Sequence, residues 1–218
     1  MSEARVPPAL FAAVKSDLQP VRPLATPARR ALALLPIAVI LLVGMPIFWG
    51  WKTQLAALAP GPSWLLSTLE SALSLMILAA AFREAVPGRE LSTGTLLTLV
   101  AAACGCFFAI NPVTHDATVV PASTALRWVW DCISMTVVFS IPALAVPAWL
   151  VSRALPNRPA LTGALCGLGV GLMADAGLRL FCWYSEYSHV LLAHGGAIAI
   201  LIGLGALSAT AVERLKVR

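Results

Sequence analysis

The chain has little charge: 11% of its 218 residues are Asp, Glu, Lys or Arg, while 59% are hydrophobic. The few charges are also shut out of stretches about twenty residues long. A water-soluble domain with one shared core does not distribute charge in this way. Other absences exclude whole chemistries. There is no Cys-x-x-Cys pair, no HExxH zinc motif, no phosphate-binding glycine loop, and no nucleophile beside a base at a working spacing. Only three histidines and two tyrosines occur. The absence of Cys-x-x-Cys counts against a quinone-linked thiol oxidase of the usual kind, and no enzyme activity is expected.

The chain is rich in long apolar runs. A hydrocarbon core about 30 Å thick needs roughly 20 apolar residues of helix to cross it. Six runs qualify: Ala31–Trp49, Trp64–Phe82, Gly94–Asn111, Trp128–Val151, Ala160–Leu180 and Val190–Thr210. The first follows thirty residues that hold Glu3, Asp17 and five basic residues, unlike the short basic start of a cleaved signal peptide. The expected fold is therefore all-α: a polytopic bundle of six transmembrane helices. Its parts are a leader over residues 1–30, a membrane domain over 31–210 and a basic tail over 211–218.

Arg and Lys in the short loops set the orientation. Twelve of the fifteen basic residues fall on the side of the N-terminus, in the leader, the second and fourth loops and the tail. Lys52, Arg127 and Arg179 fall on the other side. Both termini are thus expected in the cytoplasm of a bacterial inner membrane. The net charge of +5 is accounted for by this topology and gives no reason to expect direct nucleic-acid binding.

Within the leader, Pro7-Pro8 can open a short helix and Pro20 close it. Leu10, Phe11, Val14 and Leu18 then share one face. So short a helix is marginal alone in water, so this face needs a partner: membrane lipid, or a cytoplasmic protein with a groove. Arg29 and Arg30 read as a cytoplasmic anchor for the first span.

Ionisable groups within a span need a partner or a purpose. Arg127 with Asp131, and Asp175 with Arg179, are four residues apart and can pair along their own helices. Glu70 lies alone in the second span, where it can line an ion path or pair across helices. Cys132 follows Asp131, and Cys182 shares a helix stripe with Asp175 and Arg179. Counted from Pro156 at the turn between these spans, the two thiols reach about the same outer level. There, adjacent helices would bring them to bonding or shared-metal distance. His189 and His194 follow; two thiolates with one or two imidazoles suit a soft metal such as copper(I), or zinc. Histidines at a helix start also serve as interfacial or capping residues, and Trp183, Tyr184 and Tyr187 as an aromatic belt. Cys104, Cys106 and Cys166 read as buried small hydrophobes.

Several segments carry a family resemblance: Leu10-Phe11-Ala12, Leu18-Gln19-Pro20-Val21-Arg22-Pro23-Leu24, Asp131-Cys132 opening the fourth helix, Pro142 and Pro147 within it, Leu180-Phe181-Cys182, Ser188-His189-Val190 and His194-Gly195-Gly196. With six helices around them, they resemble the NrsF family of membrane anti-sigma factors, negative regulators of a sigma-F type ECF sigma factor. The family often has His before its second cysteine, where this chain has Phe181. The resemblance implies that the N-terminal segment holds the sigma factor, and that two periplasmic-side cysteines, matching Cys132 and Cys182, are needed to release it under stress. Two other classes remain alternatives. A small transporter or metal carrier would use Glu70, Asp131 and Asp175 as a polar path, and a membrane thiol oxidoreductase would use the cysteine pair catalytically.

Overall fold

The computed structural model describes residues 7–17, 23–49, 60–114, 122–182, 184 and 186–216. The helices are α1 (Pro8–Asp17), α2 (Pro27–Phe48), α3 (Pro60–Glu84), α4 (Thr93–Thr114), α5 (Ala122–Ser152), α6 (Pro159–Phe181) and α7 (Tyr187–Leu215). Among the described residues there is no strand, and α2 through α7 each contain a stretch long and apolar enough to cross a membrane. The helix of α7 runs on past Thr210 to Leu215.

Two of these helices are not regular. α2 is interrupted by a turn at Ala33–Leu34, just before Pro36, and widens into a π turn at Ile40–Gly44 before Pro46. Each proline removes the N–H that an α-helix needs for the carbonyl four residues back, so the backbone changes pitch there. α7 has a second π turn at Val190–Gly195.

α6 is the central helix. Of its most apolar window 83% is buried inside the protein, against 17% for α4 on the periphery. Glycine makes this centrality possible, because without side chains the α6 backbone can touch three neighbours at once. A Cβ at Gly163 would run into the Gly205 carbonyl of α7, and one at Gly167 into the Leu201 carbonyl. A Cβ at Gly177 would strike the Leu41 carbonyl in the π turn of α2. Gly169 lies against Leu78 of α3.

One end of the bundle is tied by polar contacts. Buried Glu84 at the end of α3 accepts from the Leu91 amide at 2.7 Å and from Arg158 Nε at 2.6 Å. Arg158 also donates to the Leu91 carbonyl at 3.1 Å, and the Asn157 amide to Glu90 at 2.7 Å. The Glu90 carboxyl is held below its usual range by its own backbone N–H, the Asn157 amide and the Gly88 N–H. Arg29 is exposed, as an interfacial anchor would be. Arg30 is not: it is buried over the Phe82 ring, 4.5 Å from its centre, and donates to the Leu150 carbonyl. The start of α2, the ends of α3 and α5 and the start of α6 therefore share one end.

Replacing Gly163 or Gly167 with leucine should force α6 and α7 apart and lower stability by about 1–3 kcal/mol or more, the usual cost of overpacking. A thermal scan of the detergent-solubilised protein should show the lower midpoint. Gly203→Ala, which meets nothing within 4 Å, should leave it unchanged.

Candidate functional site

At the opposite end, the last turns of α6 place Asp175, Arg179 and Cys182 on one stripe, at spacings of four and three. Cys182 caps the helix, its amide donating to the Leu178 carbonyl at 2.8 Å. Across from it, Cys132 of α5 is nearly buried, and its carbonyl accepts from the Thr136 hydroxyl at 2.8 Å. The two sulfurs are 3.9 Å apart and both thiols are free. His189, buried at the start of α7, brings its Nε2 to 3.6 Å from the Cys182 sulfur. Tyr184 lies over this corner, its ring 5.4 Å from that of His189 and 4.9 Å from that of Trp128.

His194 is five residues beyond His189, a spacing that on a regular α-helix turns the two side chains roughly 140° apart. The π turn at Val190–Gly195 absorbs the extra residue, and the two rings come to 5.8 Å, edge to face. The His194 Nδ1 is 2.6 Å from Asp175 Oδ1. The other Asp175 oxygen accepts from Arg179 Nε at 2.7 Å. Arg179 also lies 3.7 Å from Glu70 of α3, donates to the Phe107 carbonyl of α4 at 3.1 Å, and stacks 4.7 Å over the Phe107 ring. All four ionisable groups of this cluster are buried.

The sequence-based candidates thus separate. Cys132, Cys182 and His189 come together, with donor atoms all within 4.8 Å of one another, and can hold a metal ion. His194 is not among those three donors; Asp175 holds its Nδ1, and its Nε2 is buried without a hydrogen-bond partner. Asp175 and Arg179 form the expected pair but lie in the protein interior with Glu70 and His194. Arg127 and Asp131 are 3.8 Å apart on the exposed face of α5, outside that network. Leu10, Phe11 and Val14 are exposed on α1, while Leu18 and Trp183 lie outside the described residues. Two of the three cysteines expected to be buried are not: Cys104 is exposed and Cys106 half-buried, because α4 packs only at the rim; Cys166 is buried. The role of Phe107 had no signal in the sequence; a pairing of Glu70 across helices was expected, but not that Arg179 is the partner.

Mild oxidation should link Cys132 to Cys182 within one chain and protect both from alkylation, while Cys104 still reacts; peptide mass analysis reads this directly. In Cys182→Ser, Cys132 should stay alkylatable. Asp175→Asn removes the carboxylate that serves both Arg179 and His194. It should cost about 3–5 kcal/mol, the usual penalty for leaving a buried charge unpaired, seen as a lower unfolding midpoint in detergent.

No curated protein and no solved structure matches this chain. A family described as "Negative regulator of sigma F" matches residues 15–214. That range takes in all six apolar helices and the Cys132, Cys182 and His189 corner, and it begins after Leu10, Phe11 and Val14 of α1. The chain belongs to the NrsF family of negative regulators of sigma F.

Proposed function

We propose that the protein is an inner-membrane anti-sigma factor with both termini in the cytoplasm, and that its leader sequesters an ECF sigma factor until the Cys132–Cys182 corner responds to stress in the periplasm. The observation that carries this reading is the pairing of two free thiols 3.9 Å apart with His189, in a family that regulates a sigma factor. α1 has no buried residue, and Leu10, Phe11 and Val14 form an apolar face open to a partner. Leu18 completes that face in the proposal. Arg and Lys in the loops support the orientation.

The spacing suits a soft metal as the first event. Metal–sulfur bonds of about 2.3 Å and metal–nitrogen bonds of about 2.0 Å in a trigonal or tetrahedral site put sulfurs roughly 3.8–4.0 Å apart and sulfur roughly 3.5–3.7 Å from nitrogen. The thiols and imidazole stand at 3.9 and 3.6 Å. A disulfide would need the sulfurs to close to about 2.05 Å. Copper(I) or zinc fits the donor set, with Cys132, Cys182 and His189 as ligands.

Signal would travel along α6. Cys182 caps that helix, and Gly177, five residues earlier, sits against the π turn of α2, which follows directly from the leader. A shift at the end of α6 would reach α2 through this contact. A tenfold release of the sigma factor requires about 1.4 kcal/mol of difference between the two states.

Co-purification of the detergent-solubilised protein with its host's sigma factors tests the reading. Under reducing, metal-free conditions the full chain should retain a sigma factor and a chain lacking residues 1–24 should not. Copper(I) or zinc should then release it from the wild type and not from Cys132→Ser/Cys182→Ser. Failure of the full chain to retain any sigma factor would remove the proposal.

A further inference from the structure

α3 carries an unusual buried face. Ser63, Ser67, Glu70, Ser71 and Ser74 recur at helical spacing, and all five are shielded from solvent. A serine inside an apolar helix ordinarily satisfies its hydroxyl by bonding back to a carbonyl three or four residues earlier. Ser74 does so, to the Ser71 carbonyl at 2.6 Å, as do Ser134, Thr136, Ser208 and Thr210 on other helices. The hydroxyls of Ser63, Ser67 and Ser71 have no hydrogen-bond partner, nor has either oxygen of Glu70. Five orphaned polar atoms in a line are costly in an apolar interior unless something mobile and polar serves them.

Charge on the cluster points the same way. Asp175 is fully engaged, by Arg179 on one oxygen and His194 on the other. Glu70 has a 3.7 Å approach from Arg179, which also donates to the Phe107 carbonyl, and it lies beside the Asp175 carboxylate. The titratable or charged groups around Glu70 are Arg179 and Asp175 of α6, His194 of α7 through Asp175, and Cys106 of α4; the π turn of α2 is apolar. The Arg179 guanidinium and the His194 imidazole therefore share two carboxylates, and His194 serves only Asp175. A bare carboxylate at this depth is expensive, and a proton removes the charge.

We infer that Glu70 is a proton-binding site inside the membrane domain, supplied from the face that carries Cys182 along the Ser63, Ser67 and Ser71 hydroxyls. Ser63 lies three residues into α3, and Glu70 is ten residues from Pro60. At 1.5 Å per residue that depth is roughly 15 Å, about half of a hydrocarbon core. The hydroxyls form a ladder over that distance, each able to accept and donate, and water entering between them would satisfy them as it delivers the proton. With its proton on, Glu70 leaves Arg179 to Asp175. With the proton off, it competes for the same guanidinium, one turn from Cys182. None of this depends on the identity of a sigma factor or on the metal.

The test uses the intact protein in membranes. Dicyclohexylcarbodiimide, a lipid-soluble reagent that adds to protonated carboxyl groups, should modify Glu70 of the wild type at neutral pH, located by peptide mass. Glu84, paired with Arg158, should stay unmodified, and Glu70→Gln should lose the adduct. Membrane-impermeant thiosulfonates should label Ser67→Cys and Ser63→Cys several-fold faster from the Cys182 face than from the other face, and faster than Leu78→Cys on the same helix. Absence of the Glu70 adduct in the wild type would overturn the inference whatever the variants do. So would an adduct with both introduced cysteines inert, since Glu70 would then be protonated without a path.

Discussion

Arg179 is the group on which the rest of the site is arranged. An arginine this deep in an apolar bundle must find anions and acceptors within its own reach, because the surroundings offer no water to replace them. It takes Asp175 from its own helix, approaches Glu70 on α3 and takes the Phe107 carbonyl on α4. Asp175 in turn fixes the ring of His194 on α7. Four helices are thereby held in register around one guanidinium. Among the described residues, Arg83, Glu84, Arg153 and Arg158 lie instead at or beside helix ends.

Close packing around α6 is the second constraint, and it depends on what α6 lacks. Its glycines let neighbouring backbones approach to contact, which only a helix without side chains at those positions permits. The same closeness limits how α6 can move: a displacement at Cys182 has little room to be absorbed before it meets Leu41 of α2 or Leu201 of α7. The orphaned hydroxyls of α3 run beside it.

The three potential ligands come from three different helices and owe their meeting to two local features. The cap of α6 ends the helix at Cys182, so that the chain turns within a few residues to His189. The π turn in α7 then rotates His194 back toward Asp175. Without the wider turn, a histidine five residues on would face elsewhere, and Asp175 would have one partner fewer. Thiol chemistry and ion-pair chemistry thus sit side by side, joined through the two imidazoles, whose rings are 5.8 Å apart.

By itself the sequence determined what depends on composition and on local period: six apolar helices, their limits to within a few residues, the charge asymmetry of the loops, and the Asp175–Arg179 pair. Those properties follow from hydrophobic length and from neighbours four residues apart, which need no knowledge of other helices. The equal depth of Cys132 and Cys182 was also legible, because it follows from counting outward from the Pro156 turn. Only the tertiary structure decided that the sulfurs face each other, that Glu70 joins Arg179, that Arg30 is buried rather than interfacial, and that Cys104 is exposed on a peripheral helix. These depend on the rotation of each helix about its axis and on which helix stands beside which. In an evenly apolar span every face is equally hydrophobic, so no stripe in the sequence marks the buried side. The π turn of α7 has no sequence signature for a related reason: nothing local marks where the backbone widens beyond the α-period of 3.6, and the direction of His194 changes with it.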